Sequence, residues 1–371
     1  MTGKERVLRL LRGEPIDRVP LFDSIRNDVL LEYFAGEEIT YENARHLTRL
    51  AHARALDSTR MLPKLPVPPI DDILPDGRKA HYERWMRWVE HQEYTSEEEY
   101  LKVKKRELEK PLFSEEEKAE VEATIQAYAE CESLYLKDIL FFWAFGVHDR
   151  HQFGVECHSL LGYYLTDLYE EVGVTNFSLW LFGDTGLLDA LLERAFAKSM
   201  KVVEQLSQST TRPSGLFIAD DMAFRNGPLV SPKFLEKAYF PRFKKVVEAI
   251  KRLDIPVMFH TDGNLELLID GLVETGIDIL NPLEKIPEFG IREIHQRHPH
   301  LILSGGIDVG HVLPLGTPEE VEAEVHRAIE EAEGKIMIGA SSIVTNNIPL
   351  ENYLAMRKAA GLVDEMATNM D

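Results

Sequence analysis

The sequence predicts a (β/α)8 TIM barrel with an inserted helical and hairpin segment near its N-terminal half, and three observations carry that expectation. From about residue 184 onward, short apolar runs alternate with long amphipathic stretches. Weaker candidates upstream bring the runs to eight. Unusual polar residues follow directly behind the runs instead of being scattered. Alternating strands and helices are parallel βαβ units, and eight parallel strands favour closure over an open sheet.

The clear strands are Gly215–Ala219, Pro256–Phe259, Asp278–Asn281, Leu301–Ser304 and Lys335–Ile338. Helical spacing runs through Pro232–Leu253, Leu265–Thr275, Pro318–Glu333 and Leu350–Leu362, several opened by Ser-Pro or Thr-Pro, which suits a helix N-terminus. Arg18–Phe22, Ser58–Leu62 and Leu134–Phe145 complete the strand set. Residues 76–131 break the rhythm: Gly77-Arg78 marks a turn, Tyr82–Tyr94 an aromatic hairpin, and Ser96–Glu109 and Ser114–Ala129 charged helices. We expect one domain over residues 1–371 with this stretch inserted in it. The glutamate runs at 97–99 and 115–117 read as solvated helix faces.

Lys and Arg number 42 against 63 Asp and Glu, a formal charge of −21. A surface that negative repels phosphate backbones and anionic lipid, so neither nucleic acid nor membrane is an expected partner. Cys131 and Cys157 lack metal or redox spacing and are too few for a disulfide framework. No apolar run approaches the roughly 20 residues that cross a bilayer. The opening residues carry no signal-peptide core. The expected location is the cytoplasm.

The polar groups behind the strands are Asp220-Asp221, His260-Thr261-Asp262-Gly263-Asn264, Glu284, Gly305-Gly306-Ile307-Asp308 and Ala340-Ser341-Ser342. All strand C-termini of a parallel barrel share one rim, so groups distant in sequence converge on one mouth. Plainer readings stand beside this one. His260 also suits a core histidine satisfied by backbone, and Asp220-Asp221 and Asp308 suit caps. Gly305-Gly306 permits either close approach to a ligand or a tight turn. Phe141, Phe142, Trp143 and Phe145 line an aromatic pocket or belong to the core. Asn346-Asn347 before Pro349 reads as a turn.

Several segments together resemble the uroporphyrinogen decarboxylase and corrinoid methyltransferase superfamily. They are Lys4-Glu5-Arg6-Val7-Leu8 with Asp17-Arg18-Val19-Pro20, His260–Asn264 followed by Gly276-Ile277-Asp278, and Asn281-Pro282-Leu283-Glu284. Gly305-Gly306-Ile307-Asp308, Gly316-Thr317-Pro318-Glu319-Glu320-Val321 and Pro349-Leu350-Glu351-Asn352-Tyr353 continue the series in the family's order. The fold that the resemblance implies is the barrel.

Two chemistries share that fold. The decarboxylases carry a Met-Arg-Gln-Ala-Gly-Arg-type segment after the first strand to neutralise a polycarboxylate, and a Gly-His before the final Pro-x-Glu-Asn. This chain has Asp23-Ser24-Ile25-Arg26-Asn27-Asp28 and Ser341-Ser342 there. The corrinoid enzymes hold zinc with His-x-Cys and a later Gly-Cys; here stand His260-Thr261-Asp262 and the serines. Without thiolates, a zinc or harder cation would rest on His260, Asp262 and Glu284. The alternative is a metal-free pair in which Asp262 orients His260.

What remains resembles the branch that moves a methyl group from a small donor, such as a methyl ether, to a corrinoid carried by a partner protein. The resemblance implies His260, Asp262, Asp220 and Asp221 as catalytic residues that protonate or polarise the departing oxygen. It implies Arg26, Asn264, Glu284, Gly306, Asp308, Ser341 and Ser342 as substrate contacts. Two alternatives stand: a lyase acting on a small carboxylated substrate that Arg26 binds, and a non-catalytic corrinoid or tetrapyrrole binder.

Overall fold

Seven parallel strands build the central sheet of the computed structural model, which describes residues 1–74, 77–146, 150–153, 160–286 and 289–362. They are β1 (Ser58–Arg60), β2 (Leu140–Trp143), β3 (Gly215–Ala219), β4 (Val257–His260), β5 (Ile279–Leu283), β6 (Ile302–Ile307) and β7 (Ile336–Ala340). Each pairs in parallel with the next in chain order. Leu21 bridges Ile338 of β7 and Phe22 bridges Ser58 of β1. The segment Leu21–Phe22 therefore joins the two edges of the curled sheet.

Alternation along the strands sorts their side chains into two layers. Phe22, Phe142, Phe217, Met258, Ile279, Ile302 and Met337 pack together inside the sheet, against Val7 and Leu10. Their neighbours Phe141, Leu216, Phe259, Leu280 and Leu303 pack outward in the cluster shared with the helices. Val7 and Leu10 come from the helix Gly3–Arg12, which Thr2 caps at its start and Gly13, at φ 68°, at its end.

A buried ion network fixes the closing segment. Asp57 accepts from Arg6 Nη1 at 2.5 Å, from Arg18 Nη1 and Nη2 at 2.5 and 2.9 Å, and from the Leu21 amide at 2.8 Å. Asp17 holds Arg6 from the other side, and its carboxyl sits well below the usual range because of that hydrogen bond. Sequence segments Lys4–Leu8 and Asp17–Pro20 thus belong to the architecture.

β3 has the expected bounds, while β4 to β7 begin one residue later than expected and end one to three later. The polar residues at their ends still pair in the sheet. The expected helix Pro232–Leu253 ends at Lys251 and carries a π-helical turn over Leu235–Tyr239. Leu265–Thr275 contracts to a helix over Ile269–Val273. Between β1 and β2 lie three antiparallel strands, Val67–Ile73, Lys79–Arg84 and Met86–Val89, and the helices Glu97–Glu109 and Glu115–Cys131. The expected hairpin is thus part of a larger sheet that begins upstream of it. Asp76 and Cys157 lie outside the described residues. Among the described residues, no helix is long and apolar enough to cross a membrane.

Candidate active site at the strand ends

The inward-facing alternation of the strands continues past their C-terminal ends, and it decides which polar residues meet. Phe217 and Ala219 face inward on β3, so Asp221 follows them and Asp220 turns to the other side. The expected acidic pair divides. Asp220 is fully buried and accepts the Leu165 amide, the Thr166 amide and hydroxyl, and the Tyr239 hydroxyl, at 2.8–3.1 Å. Thr166 opens the helix Thr166–Trp180, so the carboxylate sits where a helix attracts negative charge. Burial still pushes Asp220 up to about 6, against those hydrogen bonds. These hydrogen bonds tie the start of that helix to Tyr239 through the Asp220 carboxylate.

Asp221 accepts the Asp262 amide at 3.1 Å. His260 ends β4, its side chain 13% exposed, and its Nε2 lies 3.8 Å from Asp262 Oδ1. That separation is too long for a hydrogen bond. The ring is held instead through Nδ1, which has Arg60 Nη1 at 2.6 Å and Asn281 Oδ1 at 2.8 Å. The orienting partners are therefore Arg60 and Asn281, and Asp262 does not take that part. Nδ1 thus meets a donor in Arg60 Nη1 and an acceptor in Asn281 Oδ1, and its role in each contact depends on the ring's tautomer. Asn281 in turn donates from Nδ2 to Ser304 Oγ and receives Arg60 Nη1 on Oδ1 at 3.4 Å.

The electrostatics follow from this packing. Burial, then the Arg60 charge, hold the His260 imidazole well below the usual histidine range, so it is neutral. Asp262 goes the other way: burial first, then the charges of Asp221 and Glu284, push it up to about 7. Its Oδ1 has no hydrogen-bond partner. Burial likewise raises Asp221. A neutral imidazole thus stands beside a carboxyl that holds a proton near neutrality.

The other expected contacts occupy varied places. Glu284 accepts the Gly263 amide at 2.7 Å and so braces the loop behind His260. Asn264 accepts the Glu266 amide, and Asp308 accepts the Gly310 amide, each closing its own turn. Ser341 accepts the Val309 amide and Ser342 is exposed. Gly306, at φ 92°, faces packing rather than open space: a Cβ there would lie 2.9 Å from Ile291 Cδ1. Arg26 ends the short strand Ile25–Arg26, half-buried, and burial, then the Arg60 charge, lower it. Phe141, Phe142, Trp143 and Phe145 are all fully buried and form core, not pocket wall.

Arg60 and Tyr163 escaped sequence reasoning. Arg60 ends β1 and lies over the ring of Phe217, 4.8 Å from its centroid, as His260 does from another side at 5.4 Å. Tyr163 interacts electrostatically with Arg60, Arg26 and Asp221.

Asp221, His260 and Asp262 offer ligand atoms that lie within 4.8 Å of one another, a spacing a cation could bridge. The surroundings argue against one. Asn281 Oδ1, at 2.8 Å from Nδ1, is the kind of acceptor a ligating imidazole uses, but the Arg60 guanidinium at 2.6 Å sets a positive charge against any cation there. Glu284, expected as a third ligand, is engaged with Gly263.

Comparisons with known proteins place this geometry. Over 132 residues the chain is 28% identical to the methylcobamide:CoM methyltransferase MtbA of Methanosarcina mazei, and 25% identical to that of Methanosarcina acetivorans. Each match spans 36% of this chain and 38% of the relative. A solved methyltransferase from Methanosarcina mazei has the same fold, with a TM-score of 0.68 and 18% identity over 97% of this chain and 98% of its own. The uroporphyrinogen decarboxylase (URO-D) family model matches residues 163–361, more than half of the sequence and the part that supplies Tyr163, Asp221, His260 and Asp262. The chain belongs to the uroporphyrinogen decarboxylase family.

Proposed function

We propose that this chain is a methyltransferase that takes a methyl group from a small methoxylated donor and passes it to a corrinoid on a partner protein docked at the barrel mouth. The observation that carries the reading is the convergence of Asp221, His260 and Asp262 behind two strands, with one polar atom of each within 4.8 Å of the others, and burial and the neighbouring acids raise the Asp262 carboxyl there. Breaking a methyl–oxygen bond leaves the electron pair on oxygen, and that oxygen needs a proton from an acid active near neutral pH. The similarity to the methylcobamide:CoM methyltransferases supports a corrinoid in the reaction.

When bound, the corrinoid supplies the nucleophile for the methyl carbon. The chain's own residues position the donor and manage the proton. Asp262 delivers it to the departing oxygen. His260 presents Nε2 to the same region, its ring oriented by Arg60 and Asn281 on Nδ1. Asp221 carries the neighbouring charge that keeps Asp262 protonated. Asp220 anchors the helix that begins at Thr166 and takes no part in the proton transfer. The reaction runs without a metal in the Asp221–His260–Asp262 group.

The test is to mix the purified chain with a Co(I) corrinoid and a series of methoxylated and methylamine donors while following the corrinoid spectrum. Methylation with a methoxylated donor, lost in Asp262→Asn, is the expected result. No methylation with any donor overturns the reading.

A further inference from the structure

Two neighbours of His260 Nδ1 make opposite demands on it. Arg60 Nη1 stands 2.6 Å away and only donates, while Asn281 Oδ1 stands 2.8 Å away and only accepts. Burial and the Arg60 charge keep the ring neutral, so it carries one proton on one of its two nitrogens. With that proton on Nε2, the lone pair of Nδ1 accepts from Arg60 and confronts the lone pairs of Asn281 Oδ1. With it on Nδ1, the ring donates to Asn281 and turns its N–H against the N–H of Arg60. Each tautomer satisfies one neighbour and repels the other. Turning the Asn281 amide over is no escape, because Oδ1 also receives Arg60 Nη1 at 3.4 Å and Nδ2 donates to Ser304 Oγ at 3.2 Å.

Charge decides between them. A hydrogen bond from a guanidinium is roughly twice as strong as one between neutral groups, and the Arg60 contact is also the shorter. Arg60 keeps its place apart from His260: it lies over the ring of Phe217 at 4.8 Å, and the acids Asp262, Asp221 and Asp23 act on its charge from farther off. Asn281 keeps its place through Ser304 on the neighbouring strand. On the other side of the ring, Nε2 lies 3.8 Å from Asp262 Oδ1, a buried atom that has no hydrogen-bond partner. An oxygen at hydrogen-bond distance from both atoms fits over that gap. What Nε2 offers such an oxygen is settled at Nδ1.

We propose that Arg60 and Asn281 compete for Nδ1 of His260 and that Arg60 prevails, so that Arg60 is the positioning residue that makes His260 a hydrogen-bond donor at Nε2. Asn281 supports the opposite tautomer, which Arg60 suppresses. An ether oxygen only accepts, so it needs the donor that Arg60 provides, and a His260 that accepted at Nε2 would repel it. The ether belongs to the methyl-transfer reading; the competition at Nδ1 does not rest on it.

Nitrogen NMR of the full chain, labelled with 15N at histidine only, tests this with neither corrinoid nor donor present. A ring nitrogen that carries a proton and one that does not resonate in separate ranges, and the signals lost in His260→Gln identify the ring. In the unmodified chain near neutral pH, Nδ1 of His260 should be bare and Nε2 protonated. Arg60→Met should move the proton to Nδ1, and Asn281→Leu should leave it on Nε2. A proton on Nδ1 in the unmodified chain overturns the assignment, and that measurement needs no variant to fold. A proton that stays on Nε2 in folded Arg60→Met overturns it as well, since Asn281 alone would then not draw it across. In methyl transfer to a Co(I) corrinoid, Arg60→Met should lower kcat by roughly 10²- to 10³-fold, the cost of one donor lost from a developing oxyanion. A full rate with the proton moved to Nδ1 overturns the link to the ether oxygen. The expected tautomers without methyl transfer by the unmodified chain leave the competition standing and remove the methyl-transfer reading.

Discussion

Raising the pH through neutrality should disarm Asp262. Its carboxyl is held at about 7 by burial and by the charges of Asp221 and Glu284, with Arg60 pulling the other way. An acid with that value is about half protonated at pH 7, about a tenth at pH 8 and about a hundredth at pH 9. If it supplies the proton, kcat/KM for corrinoid methylation falls roughly tenfold for each pH unit above 7. The direction is fixed: the active form is the protonated one, so activity is present below about 7 and lost above it. Asp262→Asn should lower the rate by roughly 10²- to 10⁴-fold and abolish this limb. Asp221→Asn removes a charge that raises Asp262, so it should move the limb to lower pH. Initial rates between pH 5.5 and 9 measure all three. A flat profile, or a limb that survives in Asp262→Asn, refutes the assignment.

Asp57→Asn should destabilise the fold, because Arg6 and Arg18 lose the charge they share. Removing one member of a buried pair costs about 3–5 kcal/mol; at about 2.1 cal/mol/K per residue, 371 residues melt roughly 4–6 °C lower, which calorimetry reads directly. His52 donates to Thr48 O and accepts the Ile25 amide, and burial pushes it down to about 4. The unfolded chain takes that proton near 6.5, so stability should fall as pH drops from 6.5 towards 4. His52→Gln should show a smaller loss between pH 7 and 5 by urea unfolding. Asp220→Asn should lower the urea midpoint, since an amide nitrogen faces its four donors, while the pH limb stays where Asp262 sets it.

The strands were legible because runs such as Leu216–Ile218 and Ile336–Ile338 are apolar and bounded by polar residues that mark their ends. Position behind the strands also pointed to His260, Asp221 and Asp262. Separating Asp220 from Asp221 required the two-residue alternation of β3, which needs a known inside and outside. That alternation, carried from Phe217 through Ala219, identifies Asp221 as the inward acid. Arg60 was missed because Ser58–Leu62 is a weak strand and a lone arginine forms no motif. The rule that found His260, a polar residue at a strand's end, would have found it. Glu284 and Asp308 resemble ligand residues in sequence, yet they bond amides of Gly263 and Gly310. Such loop contacts leave no mark in sequence spacing.

Under the proposed methyl-transfer reading, the site at the strand ends works by proton chemistry on its own residues. The most direct test is a single turnover of metal-stripped chain with a trideuteriomethoxy donor and Co(I) corrinoid, followed by mass spectrometry of the corrinoid. A trideuteriomethyl group should appear on the corrinoid at the rate of untreated protein, with no gain from added zinc. No label on the corrinoid, or label only after zinc is restored, would contradict it.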